Sequence, residues 1–115
     1  MRKLVLADRV ITQKDCFIIA EIGSNHGGDP DLCEKMIVTA ARCGVDAVKM
    51  QKRDNRKMFT PAALERPYDS GFSYGKTYGE HREHLDWFGW AEFQRFKAVA
   101  EEHGVIFFAT PFEAA

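Results

Sequence analysis

Two charged residues stand inside otherwise apolar runs of strand length, and they are the first candidates for chemistry. Glu21 interrupts the run at residues 17–23, and Lys49 interrupts the run at residues 45–51. An ammonium group in such a place suits a bound anion such as a carboxylate or a phosphate. A carboxylate suits proton transfer or the hydroxyl groups of a substrate. The pair therefore points to a site for a small polar ligand.

Alternation along the predicted strands brings further polar side chains to the same place. Residues two apart on a strand share a face, which puts Gly23 on the face of Glu21. In three predicted strands one face turns polar toward the carboxyl end, and the polar residues there are Glu21, Lys49, Gln51 and Thr110. Parallel α/β sheets and barrels build their active sites at that end. We therefore expect these four side chains to converge.

A purely structural alternative stays open for Glu21 and Lys49. The two residues could form a buried ion pair between adjacent strands and do nothing else. Such a pair returns little stability, because both charges must be desolvated and apolar residues would serve the core as well. The sequence alone does not separate this alternative from a catalytic role.

Two glycine-containing segments resemble nucleotide-binding loops only superficially. Residues 23–28 lie between a predicted strand and a predicted helix, so their backbone donors could face an anion. Their glycine spacing does not fit a dinucleotide-binding fingerprint, and no acidic ribose ligand follows at the expected distance. Residues 75–77 read Gly-Lys-Thr, but Gly71 is one position too close for a phosphate-binding loop and no strand precedes it. These patterns argue against an NTPase.

Histidines and cysteines give no convincing metal or nucleophile motif. His81 and His84 could share a helical face, but Arg82 between them and the missing third ligand favour a solvated loop. The three cysteines are an odd number without a close pair, which indicates reduced core or surface thiols; they are Cys16, Cys33 and Cys43.

Hydrophobic periodicity and turn signals define the elements that must position these residues. Asp29 before Pro30 predicts a helix start, and Gly44 and Gly104 predict helix ends. The predicted elements are a hairpin at 4–11, a strand at 17–23, a helix at 31–43, a strand at 45–51, an aperiodic loop at 52–86, a helix at 90–103 and a strand at 105–111. The apolar runs are typical of parallel strands that are buried on both faces.

The order of strands and helices predicts a parallel sheet in an α/β fold. Right-handed crossovers allow an open doubly wound sheet or the first part of a (β/α)8 barrel. An eight-stranded barrel takes about 250 residues, so a chain of 115 residues cannot close one. We expect a fragment, or a protomer that needs a partner to cover the edge of its third strand.

Composition excludes several classes of protein. The chain has 16 Lys and Arg against 17 Asp and Glu, so its formal net charge of −1 gives no basic footprint for nucleic acid. Hydrophobic residues make up 45% of the sequence and charged residues 29%, which is typical of a globular chain. A charge interrupts the first eight residues before a signal-peptide core could form, and no apolar run is long enough to span a membrane. We expect a cytoplasmic protein.

Three motifs carry a resemblance to a known family. They are FIIAEIGSNHGG at residues 17–28, VKMQ at residues 48–51 and FFATPF at residues 107–112. In order and approximate spacing they resemble the sialic acid synthase (N-acetylneuraminate synthase) family. The resemblance covers nearly all 115 residues, including the hairpin, and about the first third of the family's length.

The resemblance implies the amino-terminal part of a (β/α)8 barrel, with about three βα units after a leading hairpin and no second domain in residues 1–115. It implies condensation of phosphoenolpyruvate with an N-acylated mannosamine-type sugar to give a sialic-type nonulosonic acid and phosphate. By motif match, Lys49 and Thr110 hold phosphoenolpyruvate, while Glu21 and Gln51 face the sugar and its aldehyde. Glu21 and Lys49 are thus the expected catalytic residues.

The resemblance also implies a divalent metal, manganese or magnesium, whose ligands lie outside this chain, and a homo-oligomer when the protein is complete. His26 is not one of those ligands. We expect this chain alone to be inactive, with its acyl-sugar specificity open. Two alternatives remain: another phosphoenolpyruvate-dependent aldol-type synthase on the same barrel, and a non-catalytic half-barrel that oligomerises through its open edge.

Overall fold

Three parallel strands form the central sheet of the structure, a computed structural model that describes residues 2–114 and leaves Met1 and Ala115 undescribed. The elements in chain order are β1 (Lys3–Leu6), β2 (Arg9–Thr12), β3 (Ile19–Gly23), α1 (Pro30–Arg42), β4 (Ala47–Lys52), α2 (Asn55–Met58), α3 (Pro61–Glu65), α4 (Tyr78–Asp86), α5 (Trp90–Glu102) and β5 (Ile106–Pro111). The strand order β3-β4-β5 is parallel throughout. The predicted α/β topology is confirmed.

Helices α1 and α5 cover one face of this sheet. Alternate residues of each strand point into the core between sheet and helices; its most deeply buried side chains are Cys33, Ile37, Val48, Met50 and Phe96. The opposite face is uncovered within residues 2–114: Ile19 is 45% exposed and Phe108 37% exposed. The expectation of strands buried on both faces is therefore wrong for this part of the chain.

Local capping explains where α1 begins and ends. The Asp29 carboxylate accepts hydrogen bonds from the backbone N–H groups of Asp31 and Leu32, and Pro30 occupies the first turn. Gly44 follows the helix with φ of 88°, the left-handed conformation that ends a helix most easily with glycine. The predicted helix is confirmed, with its bounds shifted by one residue.

The leading hairpin is also confirmed. Strands β1 and β2 pair antiparallel, with Leu6 opposite Arg9. Its turn contains no glycine, so Ala7 itself adopts a φ of 53°. The Arg9 side chain fixes the hairpin against the sheet, through a 2.6 Å ion pair with Asp46 and a 2.8 Å hydrogen bond to the Gly104 carbonyl.

Residues 53–86, which we call the 53–86 segment, are largely helical, so the prediction of an aperiodic loop at 52–86 is wrong. The segment contains helices α2, α3 and α4, which have 4, 5 and 9 residues. Elements this short show no clear period, but their caps are visible in the sequence. The Thr60 hydroxyl caps α3, and Thr77 with Glu80 forms a capping box on α4.

Candidate active site at the carboxyl edge of the sheet

Glu21, Lys49, Gln51 and Thr110, which we call the strand-edge cluster, lie on the face of the sheet away from the helices. Strand register places Glu21 beside Lys49, and Gln51 beside Thr110. The Lys49 Nζ is 2.9 Å from Glu21 Oε2 and donates to Thr110 Oγ1 at 2.9 Å. Of the four side chains predicted to converge, Glu21, Lys49 and Thr110 are thus in direct contact, and Gln51 is the strand neighbour of Thr110.

The Lys49 ammonium has capacity left for a ligand. An ammonium carries three N–H donors, and within residues 2–114 only Glu21 and Thr110 take one each. A third donor is therefore available on the uncovered face. Because the ammonium is already held from two sides, its position is fixed before a ligand arrives.

The ion pair exists, and within residues 2–114 it is not buried. The Glu21 side chain is 41% exposed and the Lys49 side chain 28% exposed. At that exposure solvent screens the attraction, and pairs of this kind contribute about 0–1 kcal/mol to stability. Within residues 2–114 the pair therefore contributes little stability, and stability alone does not explain why two charged residues stand here.

Gly23 leaves the space that this cluster needs. The β3–β4 register shifts between Glu21 and Gly23, and Gly23 has φ of 58°. A Cβ on Gly23 would lie 3.3 Å from Glu21 Oε1 and 3.6 Å from Gln51 Nε2. The prediction that Gly23 shares the face of Glu21 agrees with this position, although the register shift interrupts the regular alternation between the two residues.

Arg53 joins the cluster and was missed by the sequence analysis. Its Nη2 donates to Gln51 Oε1 at 3.0 Å, and its guanidinium lies 3.9 Å from the centre of the Phe112 ring. The available signal was spacing: Arg53 is two residues beyond Gln51, and Phe112 is two residues beyond Thr110. Both positions continue the polar edge after their strands end.

The loop at residues 23–28 is closed by its own hydrogen bonds. The N–H groups of Asn25 and Gly27 donate to the carbonyls of Ile22 and Ser24, and the Gly28 N–H donates to His26 Nδ1 at 2.9 Å. These donors are not available to an anion, so the predicted anion-facing role is wrong at those amides.

His26 is a structural histidine at the base of that loop. Its residue exposure is 2%, and its ring lies 4.5 Å from the Phe88 ring. Burial lowers the pKa of His26 below its ordinary value of 6.5, although the nearby carboxylates of Asp86 and Asp29 oppose this shift. A neutral ring suits an Nδ1 that accepts a hydrogen bond.

The 53–86 segment is held by a buried charge network. Arg82 binds Asp86 through two hydrogen bonds of 2.9 and 2.8 Å, and their side chains are only 11% and 3% exposed. The Asn55 amide donates to the same carboxylate at 3.1 Å. The network ties α2 to α4.

The two histidines of this segment lie on α4 rather than in a solvated loop, which corrects that prediction. Tyr74 stacks with both rings, at centroid distances of 5.7 Å to His81 and 4.1 Å to His84. Burial lowers the pKa of His81, and the neighbouring Arg82 charge lowers it further. Across residues 2–114, no three His, Cys, Asp or Glu side chains lie close enough together to hold a metal ion.

The cysteines behave as predicted. Cys16 and Cys43 are exposed free thiols, while Cys33 is fully buried with its Sγ 3.6 Å from the Met50 sulfur. Burial raises the pKa of the Cys33 thiol to about 12, so it is protonated and unreactive at neutral pH.

The fold and the site together define a class of protein. A parallel α/β sheet whose carboxyl edge carries an ammonium, a carboxylate, an amide and a hydroxyl has the arrangement of an α/β enzyme. Among residues 2–114, no helix is long and apolar enough to cross a membrane.

The NeuB family model matches residues 36–115, and the chain belongs to this family. The chain is 50% identical over 95 residues to N-acetylneuraminate-9-phosphate synthase of Mus musculus and 49% identical over 98 residues to that of Homo sapiens. These matches cover 83% and 85% of this chain but only 26% and 27% of the relatives. The resemblance to sialic acid synthases is confirmed, and the chain spans about a quarter of its curated relatives.

A solved structure of a sialic acid synthetase agrees with this family membership. The N-acetylneuraminic acid (sialic acid) synthetase from Leptospira borgpetersenii serovar Hardjo-bovis, in complex with citrate, superposes with a TM-score of 0.76 at 29% identity. The superposition covers 98% of this chain and 35% of that one. More distant relatives include synthases of N,N'-diacetyllegionaminic acid and pseudaminic acid.

Proposed function

We propose that the protein to which this chain belongs is a nonulosonic acid synthase that condenses phosphoenolpyruvate with an N-acylated mannosamine-type sugar. The single observation that carries the proposal is the Lys49 ammonium, held by Glu21 and Thr110 with one donor free, at the carboxyl edge of a sheet in a NeuB family chain. An ammonium fixed in advance suits a substrate that carries both a carboxylate and a phosphate.

The residues divide between the two substrates. Lys49 and Thr110 bind phosphoenolpyruvate, and Glu21 and Gln51 face the sugar. Carbon 3 of phosphoenolpyruvate forms a bond to the sugar aldehyde carbon, whose oxygen takes up a proton to become a hydroxyl. Water adds at carbon 2 and the C–O bond to phosphate is lost, which leaves a keto acid and inorganic phosphate. Glu21, beside the aldehyde, is the group placed to accept a proton from the water that adds at carbon 2 and to pass it to the aldehyde oxygen.

A 6-phosphorylated sugar is the acceptor we favour. Three carbons of phosphoenolpyruvate precede the six sugar carbons in the product, so carbon 9 of the acid is carbon 6 of the sugar. The mouse and human relatives at 50% and 49% identity are named 9-phosphate synthases, whereas the legionaminic acid synthase of Legionella pneumophila matches over only 36 residues.

The proposed architecture is the amino-terminal part of a (β/α)8 barrel, with residues 1–115 as one piece of a single domain. The uncovered face of the sheet would then line the barrel interior, and the strand-edge cluster would stand at its mouth. The half-exposed Ile19 and Phe108 support this, because inward-facing apolar side chains fill the layers of a barrel. A homo-oligomer of the complete protein is part of the proposal.

A divalent metal is general in sialic acid synthases. Lys49 cannot ligate a metal while protonated, and Glu21 is already paired with it. Residues 2–114 provide no cluster of three ligating side chains. The described residues do not fit a metal site by themselves.

The rate of phosphate release with different sugar acceptors tests which substrate the protein uses. The full-length protein, with a divalent metal and phosphoenolpyruvate, is offered N-acetylmannosamine, its 6-phosphate, and shorter aldose phosphates, and the product is weighed by mass spectrometry. We expect the 6-phosphate to give the fastest release and a nine-carbon product. Activity confined to the shorter aldoses would instead establish another phosphoenolpyruvate-dependent aldol-type synthase.

The non-catalytic half-barrel is the second candidate, and the uncovered sheet face is the observation that favours it. The isolated 115-residue chain should be marginally stable, prone to associate and inactive, because Ile19, Phe108 and strand edges stay open to solvent. Sedimentation as a monodisperse monomer, with a cooperative transition above about 65 °C, would exclude an association-prone half-barrel. Metal-dependent phosphate release by the isolated chain would contradict its predicted inactivity.

A further inference from the structure

The Gln51 side chain sits between two different kinds of neighbour. Its Oε1 accepts a 3.0 Å hydrogen bond from Arg53 Nη2. Its Nε2 borders the space above Gly23, where Glu21 Oε1 also lies. Within residues 2–114 the Nε2 group has no hydrogen-bond acceptor, so two N–H donors face the uncovered side of the sheet.

The orientation of this amide follows from the chemistry of its neighbour. A guanidinium has only donors, so it donates to the carbonyl oxygen of an amide and repels the NH2 group. Rotating the Gln51 amide by half a turn would set donors against donors. The bond is also charge-assisted, which makes it stronger than a bond between two neutral groups. Arg53 therefore determines which end of Gln51 a ligand meets.

Arg53 is itself held without a carboxylate partner. Its guanidinium lies 3.9 Å from the centre of the Phe112 ring, and its Nε is buried without any hydrogen-bond partner. In the described part of the chain, no Asp or Glu forms an ion pair with it. A buried, unpaired donor is uncommon in proteins and calls for a reason. Stacking on Phe112 leaves the planar Nη edge directed at Gln51.

We propose that Arg53, stacked on Phe112, is a positioning residue that fixes the Gln51 amide with its NH2 group toward the sugar substrate. This inference rests on the proposed function, because the acceptor for those N–H donors is a hydroxyl or carbonyl oxygen of the sugar. Arg53 does not touch the substrate. It acts through Gln51, which becomes a donor and cannot present its oxygen.

A double-mutant cycle in the full-length protein tests the proposal. Arg53→Met removes the donors and keeps an unbranched side chain beside Phe112. We expect kcat/KM for the sugar to fall about tenfold in the otherwise unchanged protein, the size of one charge-assisted hydrogen bond. In the Gln51→Ala background the same substitution should change kcat/KM by less than about twofold. Arg56→Met is the matched control, since Arg56 is an exposed arginine of the adjacent helix.

Equal losses in both backgrounds would overturn the proposal, because Arg53 would then act independently of Gln51. The proposal would also be overturned if Arg53→Met did not lower kcat/KM in the protein that retains Gln51. Phe112→Leu, which removes only the stacking ring, should reproduce a smaller loss that also disappears with Gln51→Ala. If neither Arg53→Met nor Phe112→Leu folds, Arg53 serves stability and the proposal is wrong.

A readout without turnover separates this proposal from the proposed function. The nitrogen and proton resonances of the Gln51 side-chain amide are assigned by their loss in Gln51→Ala. Arg53→Met should shift them, and Arg56→Met should leave them in place. An unmoved resonance overturns the role of Arg53. A full-length protein that releases no phosphate overturns the proposed function, while the resonance shift still decides whether Arg53 orients Gln51.

Discussion

The strand-edge cluster and the 53–86 segment both contain a salt bridge, and the two salt bridges differ in burial. Glu21 and Lys49 are 41% and 28% exposed, with a donor to spare. Arg82 and Asp86 are 11% and 3% exposed, and Asn55 adds a further bond to the carboxylate. We call the Glu21–Lys49 pair, which is partly exposed and leaves a Lys49 N–H donor without a partner in residues 2–114, the open pair. We call the buried Arg82–Asp86 pair the closed pair.

This difference in burial separates residues suited to binding a substrate from residues that stabilise the fold. A charge that remains half-exposed costs little to keep and can exchange a protein partner for a ligand. A charge that is buried must be paired, and losing its partner is expensive. Substitutions in the strand-edge cluster should therefore change turnover, and substitutions in the 53–86 segment should change stability.

The largest expected effect is on the closed pair. Arg82→Met leaves the Asp86 carboxylate buried without its cation, and we expect the free energy of unfolding to fall by about 3–5 kcal/mol. Denaturant titration of the full-length protein measures it. Arg66→Met is the matched control, because the exposed Arg66 guanidinium lies 5.1 Å from the centre of the Tyr78 ring and its loss should cost no more than about 1 kcal/mol. Similar losses in both variants would remove the distinction between the two regions.

Lys49→Met tests the open pair. Length and apolar stem are kept and the charge is lost, so we expect phosphoenolpyruvate turnover to fall about a hundredfold, as for loss of one transition-state donor. Stability should change by less than about 1 kcal/mol, because the proposed position at the mouth of the barrel keeps the pair in contact with solvent.

Lys57→Met, at an exposed lysine of α2, is the control for Lys49→Met, and the Glu21→Gln, Lys49→Met double variant tests whether an unpaired carboxylate contributes. A loss of 3–5 kcal/mol in Lys49→Met with turnover retained would favour the purely structural pair.

Thr77→Ala probes the capping box of α4. The Thr77 hydroxyl accepts from the Glu80 N–H at 3.1 Å, and its removal should cost about 1 kcal/mol of stability with turnover per folded molecule unchanged. Thr39→Ala, in the last turn of α1, should stay within about 0.5 kcal/mol. A changed KM in Thr77→Ala would show that α4 contributes to the site.

The smallest expected effect is the pH dependence from His26. Its pKa is lowered by burial, so the unfolded chain binds the proton more readily than the folded one. The stabilising contribution is complete above the ordinary pKa of 6.5 and is lost as pH falls through the folded pKa. His26→Gln should flatten this part of the stability profile, measured by thermal unfolding between about pH 7 and pH 5. An unchanged profile would contradict the assignment.

The features that the sequence predicted well belong to the regular strands and helices. Alternation and cap residues placed Glu21, Lys49 and Thr110 on one face, because both signals are local and periodic. The exposure of the ion pair was not predictable, since it depends on what covers the sheet. The bulge lies at Gly23, the last residue of β3, and Arg53 and Phe112 follow the ends of β4 and β5, so the regular strand period extends to none of them. The helices of the 53–86 segment are too short to produce one.

Arg9 has a consequence for how the chain is connected. Its guanidinium reaches Asp46, which is 37 residues away in sequence, and the Gly104 carbonyl, which is 95 residues away. The loss of chain entropy on closing a loop grows only with the logarithm of loop length, so the second contact adds little to the cost of the first. One side chain near the amino terminus thus closes two long loops at the edge of the sheet opposite the strand-edge cluster, and the folding and unfolding rates of Arg9→Met report how far these closures have formed in the transition state.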